Sequence, residues 1–294
     1  MSDIKSLAES LITSRGIKSH KAAERFKMDF IAYLFYFSNG NTEDIKDVLA
    51  LLSDSRNLTC NSIFNTNFRL KIEDIISSNL KSNKIFMNLF SILIENKGKG
   101  VGEGELILPL IIKDYKFSNT SDGIFNIGKK SYNVEIKKSG ASLKTVKTGL
   151  TSKGLVDDLN NKYFKGTIPG MVAKSKFKKH LSSISSPDVY RLYFQELYVG
   201  CDKENIDKLC HEIINNNAYK DPLMFNNALG KFALNEYKRI DNWNNILFID
   251  VEKSDVVNIC DTSNIESLGI KFKPIMKRGK DTQAIPDGYV NAKI

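Results

Sequence analysis

Asp122, Glu135 and Lys137 lie within the stretch SDGIFNIGKKSYNVEIKK, residues 121 to 138 of a 294-residue chain. Two short alternating runs, GIFNIG and SYNVEIKK, flank the glycine turn IGKKS and read as a β-hairpin. With the turn centred on Lys129 and Lys130, Phe125 is expected to face Val134, Ile127 to face Tyr132 and Gly123 to face Ile136, which makes one side apolar. The other side then sets Asp122 across from Lys137, Ile124 across from Glu135 and Asn126 across from Asn133, so that both acids and the lysine converge. Neighbouring carboxylates raise one another's pKa unless a cation lies between them, and their hard oxygens favour Mg²⁺ or Mn²⁺. A lysine beside such an ion orients or deprotonates a water while the ion polarises a phosphate ester, the combination that phosphodiester hydrolysis needs. The plain alternative is an exposed strand face carrying an ordinary acid–lysine pair, since a one-residue slip would scatter the three side chains.

The elements that must position these residues differ along the chain. Residues 1 to about 95 read as helices. SHKAAERFKMDFIAYLFYFSNGN has a cap-like Ser19, then Ala23, Phe26, Phe30 and Leu34 at helical spacing and a stop at Asn39-Gly40. NTEDIKDVLALLSD starts on Thr42 with acids in its first turn, and SNKIFMNLFSILIENKGKG ends in a glycine stop. Beyond the linker NKGKGVGEGE, the apolar segment ELILPLIIKDY reads as a helix feeding the hairpin. Residues 150 to 220 mix basic stretches with the aromatic run VYRLYFQELYVG, which suits a strand or a buried helix equally. FNNALGKFALNEYKRI, 225 to 240, reads as a helix, and the continuous apolar run ILFIDV, 246 to 251, as a strand covered on both faces. The tail after residue 268 offers one alternating strand and a loop-rich finish. The chain shows no internal repeat and no low-complexity tract.

Composition limits the chemistry. Lysine and arginine number 43 against 34 acids, a formal charge of +9 with a pI near 9.1, which suits a polyanionic partner. A hydrophobic fraction of 41% over this length supports a folded protein with a large core. Cys60, Cys201, Cys210 and Cys260 form no CxxC pair, which favours core thiols in a reducing compartment over zinc or a disulfide scaffold. His20, His180 and His211 stand alone, leaving a Ser-His or Cys-His nucleophile unsupported. No run approaches the roughly 18 apolar residues of a membrane span, and the N-terminus does not read as a signal peptide. A cytoplasmic protein is expected, in the host cytoplasm if the chain is viral.

Asp122, then thirteen residues on Glu135, then Lys137 resembles the D...ExK signature of the PD-(D/E)XK nuclease superfamily, the restriction-endonuclease-like fold. KGVGEGELILPLI is similar to the GxGE helix start preceding that signature in a group of predicted phage nucleases, and EIKKSGASL to their ExK-x-x-x-A-x-L continuation. The resemblance covers residues 100 to 145 well and 225 to 251 by pattern only. It implies an α/β (α+β) fold whose core runs helix, three antiparallel-leaning strands, helix, strand, as a mixed sheet flanked by helices. The expected organisation is an all-helical N-terminal domain, 1–95, and a nuclease-like domain, 96–294, with an insertion at 150–220. The resemblance makes Glu105 the helix acid, with Glu103 as its alternate. Asp122 and Glu135, with Glu105, then hold Mg²⁺ or Mn²⁺, and Lys137 activates water. Gly123, between Asp122 and the strand, and Lys138, where a glycine is common, depart from that pattern.

The expected activity is a metal-dependent DNA endonuclease. The alternative is a catalytically inactive protein of the same fold, DNA-binding or virion-associated, and a third reading has RNA or branched DNA as substrate. Lys129, Lys130, Lys138, Lys144, Lys147 and Lys153 cluster in sequence around the proposed site, with Lys174, Lys176, Lys178 and Lys179 further on. Such lysines neutralise phosphates without reading sequence and predict a salt-dependent, weakly specific grip, although charge runs also mark ordinary solvated loops. The N-terminal helices are candidates for a dimer contact or a partner interface.

Overall fold

The stripe Ala23, Phe26, Phe30 and Leu34 is buried on α2, Ala23–Phe37. It packs with α1, Ser2–Ser14, α3, Thr42–Ser53, and α5, Lys84–Leu93, with the short α4, Ser78–Lys81, between the last two. Asn41 and Asn83 cap α3 and α5 by accepting from Glu43 N and Phe86 N, so these helices start where free backbone donors find a side-chain acceptor. Ser19 is not the cap of α2. It closes a 3-10 turn at Ile17–Ser19, and α2 begins after Ala22.

The computed structural model describes residues 2–95, 102–144, 162, 187–216, 218, 221–278 and 284–294. The chain divides into two compact units, one of residues 1–139, 243–261 and 294, the other of 140–242 and 262–293. The first unit is mixed α/β. Its six-stranded sheet has the order β1-β7-β6-β4-β3-β2, formed by β1, Phe68–Lys71, β2, Tyr115–Lys116, β3, Gly123–Ile127, β4, Lys130–Lys138, β6, Asn245–Asp250, and β7, Asp255–Ile259. β4 and β6 run parallel, and every other adjacent pair is antiparallel. All six residues of β6 are buried, as the continuous apolar run requires. One hydrophobic cluster joins the helices to the sheet, from Ile4 and Phe30 through Phe86 to Phe125, Val134, Leu247 and Val256.

Two expectations change here. Residues 1–95 are not all-helical and do not stand apart at a boundary near 95: β1 pairs with β7, and the N-terminal helices share the sheet's core. The sequence conceals β1 because it is four residues long and its outward positions are Arg69 and Lys71, both paired with Asp255 at 2.6 and 2.7 Å. Charges on a sheet edge discourage further pairing, and they also mask the alternation.

In the second unit β5, Ala141–Lys144, β9, Ala284–Lys293, and β8, Lys271–Arg278, form an antiparallel sheet in the order β5-β9-β8. The tail thus holds two long strands where one was expected. The run VYRLYFQELYVG resolves as helix, α7, Pro187–Leu197, followed by α8, Lys203–Ile214, and α9, Pro222–Asp241, which packs on β8. Most of the expected insertion at 150–220 lies outside the described residues, and its described part is α7 and α8.

Candidate functional site

The hairpin forms, with a register different from the one expected. Phe125 pairs with Tyr132 and Gly123 with Val134, and the loop is Gly128-Lys129, enclosed by Ile127 opposite Lys130. Gly128 takes φ 61°, the left-handed start that a two-residue hairpin turn favours and that glycine adopts without a steric penalty. An aromatic stack fits this register, with Phe125 and Tyr132 5.2 Å apart and 6° from parallel, and Phe64 and Tyr115 against the same ring. Moving the loop by one residue shifts each partner by two, so side chains keep their faces although they change opposite numbers.

Continued by one residue, this register sets Asp122 across from Glu135 rather than Lys137. Asp122 is half-buried at the head of β3, and its Oδ2 accepts from the Ile136 backbone N–H at 2.7 Å. Burial and then the Glu135 charge push its carboxyl up to about 7, against the opposing pull of that hydrogen bond and of Lys137. Glu135 and Lys137, two apart on one face of β4, form an ion pair through Oε1 and Nζ. The structure therefore brings Asp122, Glu135 and Lys137 together.

The GEGE acids behave differently. Glu103 and Glu105 sit in a turn ahead of α6, Leu108–Ile111, so Glu105 is not a helix acid. Pro109 occupies the first turn of α6, where its missing N–H is harmless, and the helix is confined to one turn. Glu105 is buried and both its oxygens are engaged: Oε2 accepts from Gly102 N at 2.6 Å and Oε1 lies 3.2 Å from His20 Nε2. His20 Nδ1 accepts from Ala22 N at 2.9 Å, which leaves an imidazole hydrogen on Nε2 facing Glu105. Glu103 Oε1 pairs with Lys138 Nζ at 2.9 Å, while its buried Oε2 meets no donor among the described residues.

Among the described residues no three His, Cys, Asp or Glu side chains are gathered so as to hold a metal ion. The expected set of Asp122, Glu135 and Glu105 is thus not assembled, because Glu105 is turned to Gly102 and His20. The Asp122–Glu135 pair fits a hard divalent cation in part. It offers carboxylate oxygens, including an Asp122 Oδ1 with no donor among the described residues, whose electrostatic conflict a cation would relieve and whose remaining ligands would be waters.

Two neighbours of the site carry no local signal in the sequence. His20 reaches Glu105 from the N-terminal helices, far away along the chain. Tyr115, wholly buried on β2, places its ring against Gly123, where a Cβ would fall 2.0 Å from the Tyr115 hydroxyl. The missing side chain of Gly123 is therefore the space that the phenol occupies.

The basic residues divide. Lys129 and Lys130 are exposed at the hairpin turn, and Lys138 is engaged with Glu103. Lys144 belongs to β5, whereas Lys147, Lys153, Lys174, Lys176, Lys178 and Lys179 lie outside the described residues. All four cysteines are free; Cys210 is buried and Cys60 exposed. No described helix is long and apolar enough to cross a membrane. Comparison with protein-family models, with curated proteins and with solved structures finds no match.

Proposed function

We propose that the protein is a Mg²⁺- or Mn²⁺-dependent nuclease, acting on DNA as an endonuclease, with Asp122 and Glu135 holding the cation and Lys137 activating the attacking water. The observation that carries this reading is the half-buried acid pair, with Asp122 pushed up to about 7 beside Glu135, and Lys137 bound to Glu135 on the same strand. A carboxylate pushed up by burial and a neighbouring charge, grouped with a lysine, is a candidate for chemistry. The order of elements within the first unit gives support: α6, then β2, β3 and β4 as an antiparallel meander, and later β6 parallel to β4, follows the helix, three strands and last strand of a restriction-endonuclease-like core, whereas α9, the expected second helix of that core, belongs to the second unit and packs on β8.

A divalent cation supplies charge neutralisation at a scissile phosphate. The chain's own residues do the rest. Lys137 Nζ, held by Glu135, orients a water toward the phosphorus. Glu105, fixed by His20 and Gly102, adds negative charge that favours a cation at Asp122. The exposed Lys129 and Lys130 contribute phosphate contacts of low sequence specificity, in keeping with the +9 charge.

One observation favours the second reading, an inactive DNA-binding protein of the same fold: Glu105 and Lys137 are both committed to partners within the chain. Cleavage of plasmid, linear and single-stranded DNA and of RNA in Mg²⁺, Mn²⁺ and EDTA decides between them. Metal-dependent cutting that falls by about 10²-fold or more in the Glu135→Ala, Lys137→Ala double variant supports the enzyme. Binding without cutting in any metal assigns the binder.

A further inference from the structure

Tyr115 has its whole side chain buried, and its hydroxyl makes no hydrogen bond among the described residues. A buried hydroxyl without a partner costs about 1–3 kcal/mol. Phenylalanine would keep the stack on Phe125, 6.3 Å between centroids, without that cost. The hydroxyl reaches the backbone of Gly123, the residue that follows Asp122, and a larger residue than glycine there would displace it. The charges that bear on the phenol are Asp122 first, then Glu105 and Glu135, so the unused donor sits beside the acids of the candidate site. Two features of the sequence, a glycine at 123 and a tyrosine at 115, thus maintain an O–H group at a place where the described residues give it nothing to donate to.

We infer that Tyr115 is a positioning residue of the cation site: its hydroxyl donates to a water in the shell of a divalent cation held by Asp122 and Glu135. This rests on the cation reading of that acid pair. A phenol that fixes such a water orders the coordination shell without touching the ion, and loss of an outer-shell partner of this kind lowers metal affinity by about 10–100-fold.

The test is Tyr115→Phe in the full chain, with Mn²⁺ affinity measured by calorimetry and thermal stability measured with and without Mn²⁺. The expected result is a melting temperature in EDTA equal to or above wild type, because an unsatisfied hydroxyl has been removed, together with an affinity about 10-fold or more weaker. Equal Mn²⁺ affinity in variant and wild type overturns the inference and leaves the cation site standing. A variant that melts well below wild type in EDTA also overturns it, since the hydroxyl would then serve the fold. A wild-type protein that binds neither Mn²⁺ nor Mg²⁺ overturns the inference and the reading beneath it together.

Discussion

Glu236 in the second unit and Asp122 in the first are both carboxylates withdrawn from water, and the fold treats them in opposite ways. Glu236 is wholly buried on α9 and collects donors that include Asn205 Nδ2 at 2.6 Å, the Asp202 backbone N at 3.2 Å, and Arg239 through Nε at 3.0 Å and Nη2 at 2.7 Å. It ties the start of α8 to α9, and its charge is fully compensated. Asp122 has one backbone donor and faces a second acid. Glu105 falls between them, with one donor for each oxygen and, among the described residues, no lysine or arginine paired with it. Burial therefore does not by itself mark a functional acid; what separates them is whether the protein completes the group's hydrogen bonds and charge. Among the described residues Asp122 is left short of both, which the proposed cation would supply.

That contrast breaks most directly at Glu236. Glu236→Ala is expected to destabilise the protein by about 2–3 kcal/mol in urea unfolding, at the lower end for a broken buried pair because Arg239 keeps much of its side chain in water. It should leave divalent-ion affinity unchanged. A loss no larger than that of a surface substitution would remove the distinction between the two acids. Gly123→Ala comes next, because the new methyl enters the space of the Tyr115 ring and hydroxyl. Overpacking of this kind costs about 1–3 kcal/mol. Unlike Glu236→Ala, it should weaken Mn²⁺ binding as well, since it disturbs the strand end that carries Asp122.

Protonation sharpens the comparison further. An ordinary aspartate titrates near about 3.9, and Asp122 in the folded protein near about 7. The folded state therefore holds a proton that the unfolded chain has released over this interval. The favourable contribution is complete below about 4 and is lost as pH rises through about 7. In EDTA, stability should fall between pH 5 and pH 8, and Asp122→Asn should flatten that slope. Mn²⁺ should restore wild-type stability at pH 8, with proton uptake or release by calorimetry showing release near pH 7. A wild-type profile that is flat or rises from pH 5 to pH 8, and does not change in Asp122→Asn, would show that Asp122 is already compensated as Glu236 is.

How much of this was legible follows from which forces are local. The two faces of the hairpin follow from alternation alone, and the two-residue change in register preserved them, so Asp122, Glu135 and Lys137 were grouped correctly although Asp122 meets Glu135 and not Lys137. The position of the loop depended on Gly128 accepting a positive φ, which the adjacent lysines obscured. The continuous apolar run of β6 and the start of α3 at Thr42 are local and clear, whereas the capping roles of Asn41 and Asn83 show only in the structure. β1 was hidden by Arg69 and Lys71, and the second tail strand by Pro274, Pro286 and a register shift between Pro274 and Met276. His20 and Tyr115 join the site only through tertiary packing, and no spacing in the sequence brings either of them to Glu105 or Asp122.

The smallest effect on folding is expected at the hairpin turn, where Lys129 and Lys130 are exposed and the backbone turn is set by Gly128. Lys129→Ala together with Lys130→Ala should leave the melting temperature unchanged, since neither side chain packs in the core. Each lysine that neutralises a phosphate releases counterions when DNA binds, and its removal lowers the slope of log K against log salt by about 1. The double variant should therefore bind duplex DNA more weakly at low salt and converge with wild type at high salt, with a slope reduced by about 2 if both lysines contact phosphate. An unchanged slope would move the nucleic-acid grip away from the turn. Divalent-ion affinity should be untouched in either case, because the acid pair lies at the opposite end of the hairpin from the loop, and this separates the binding surface from the cation site by a measurement on each.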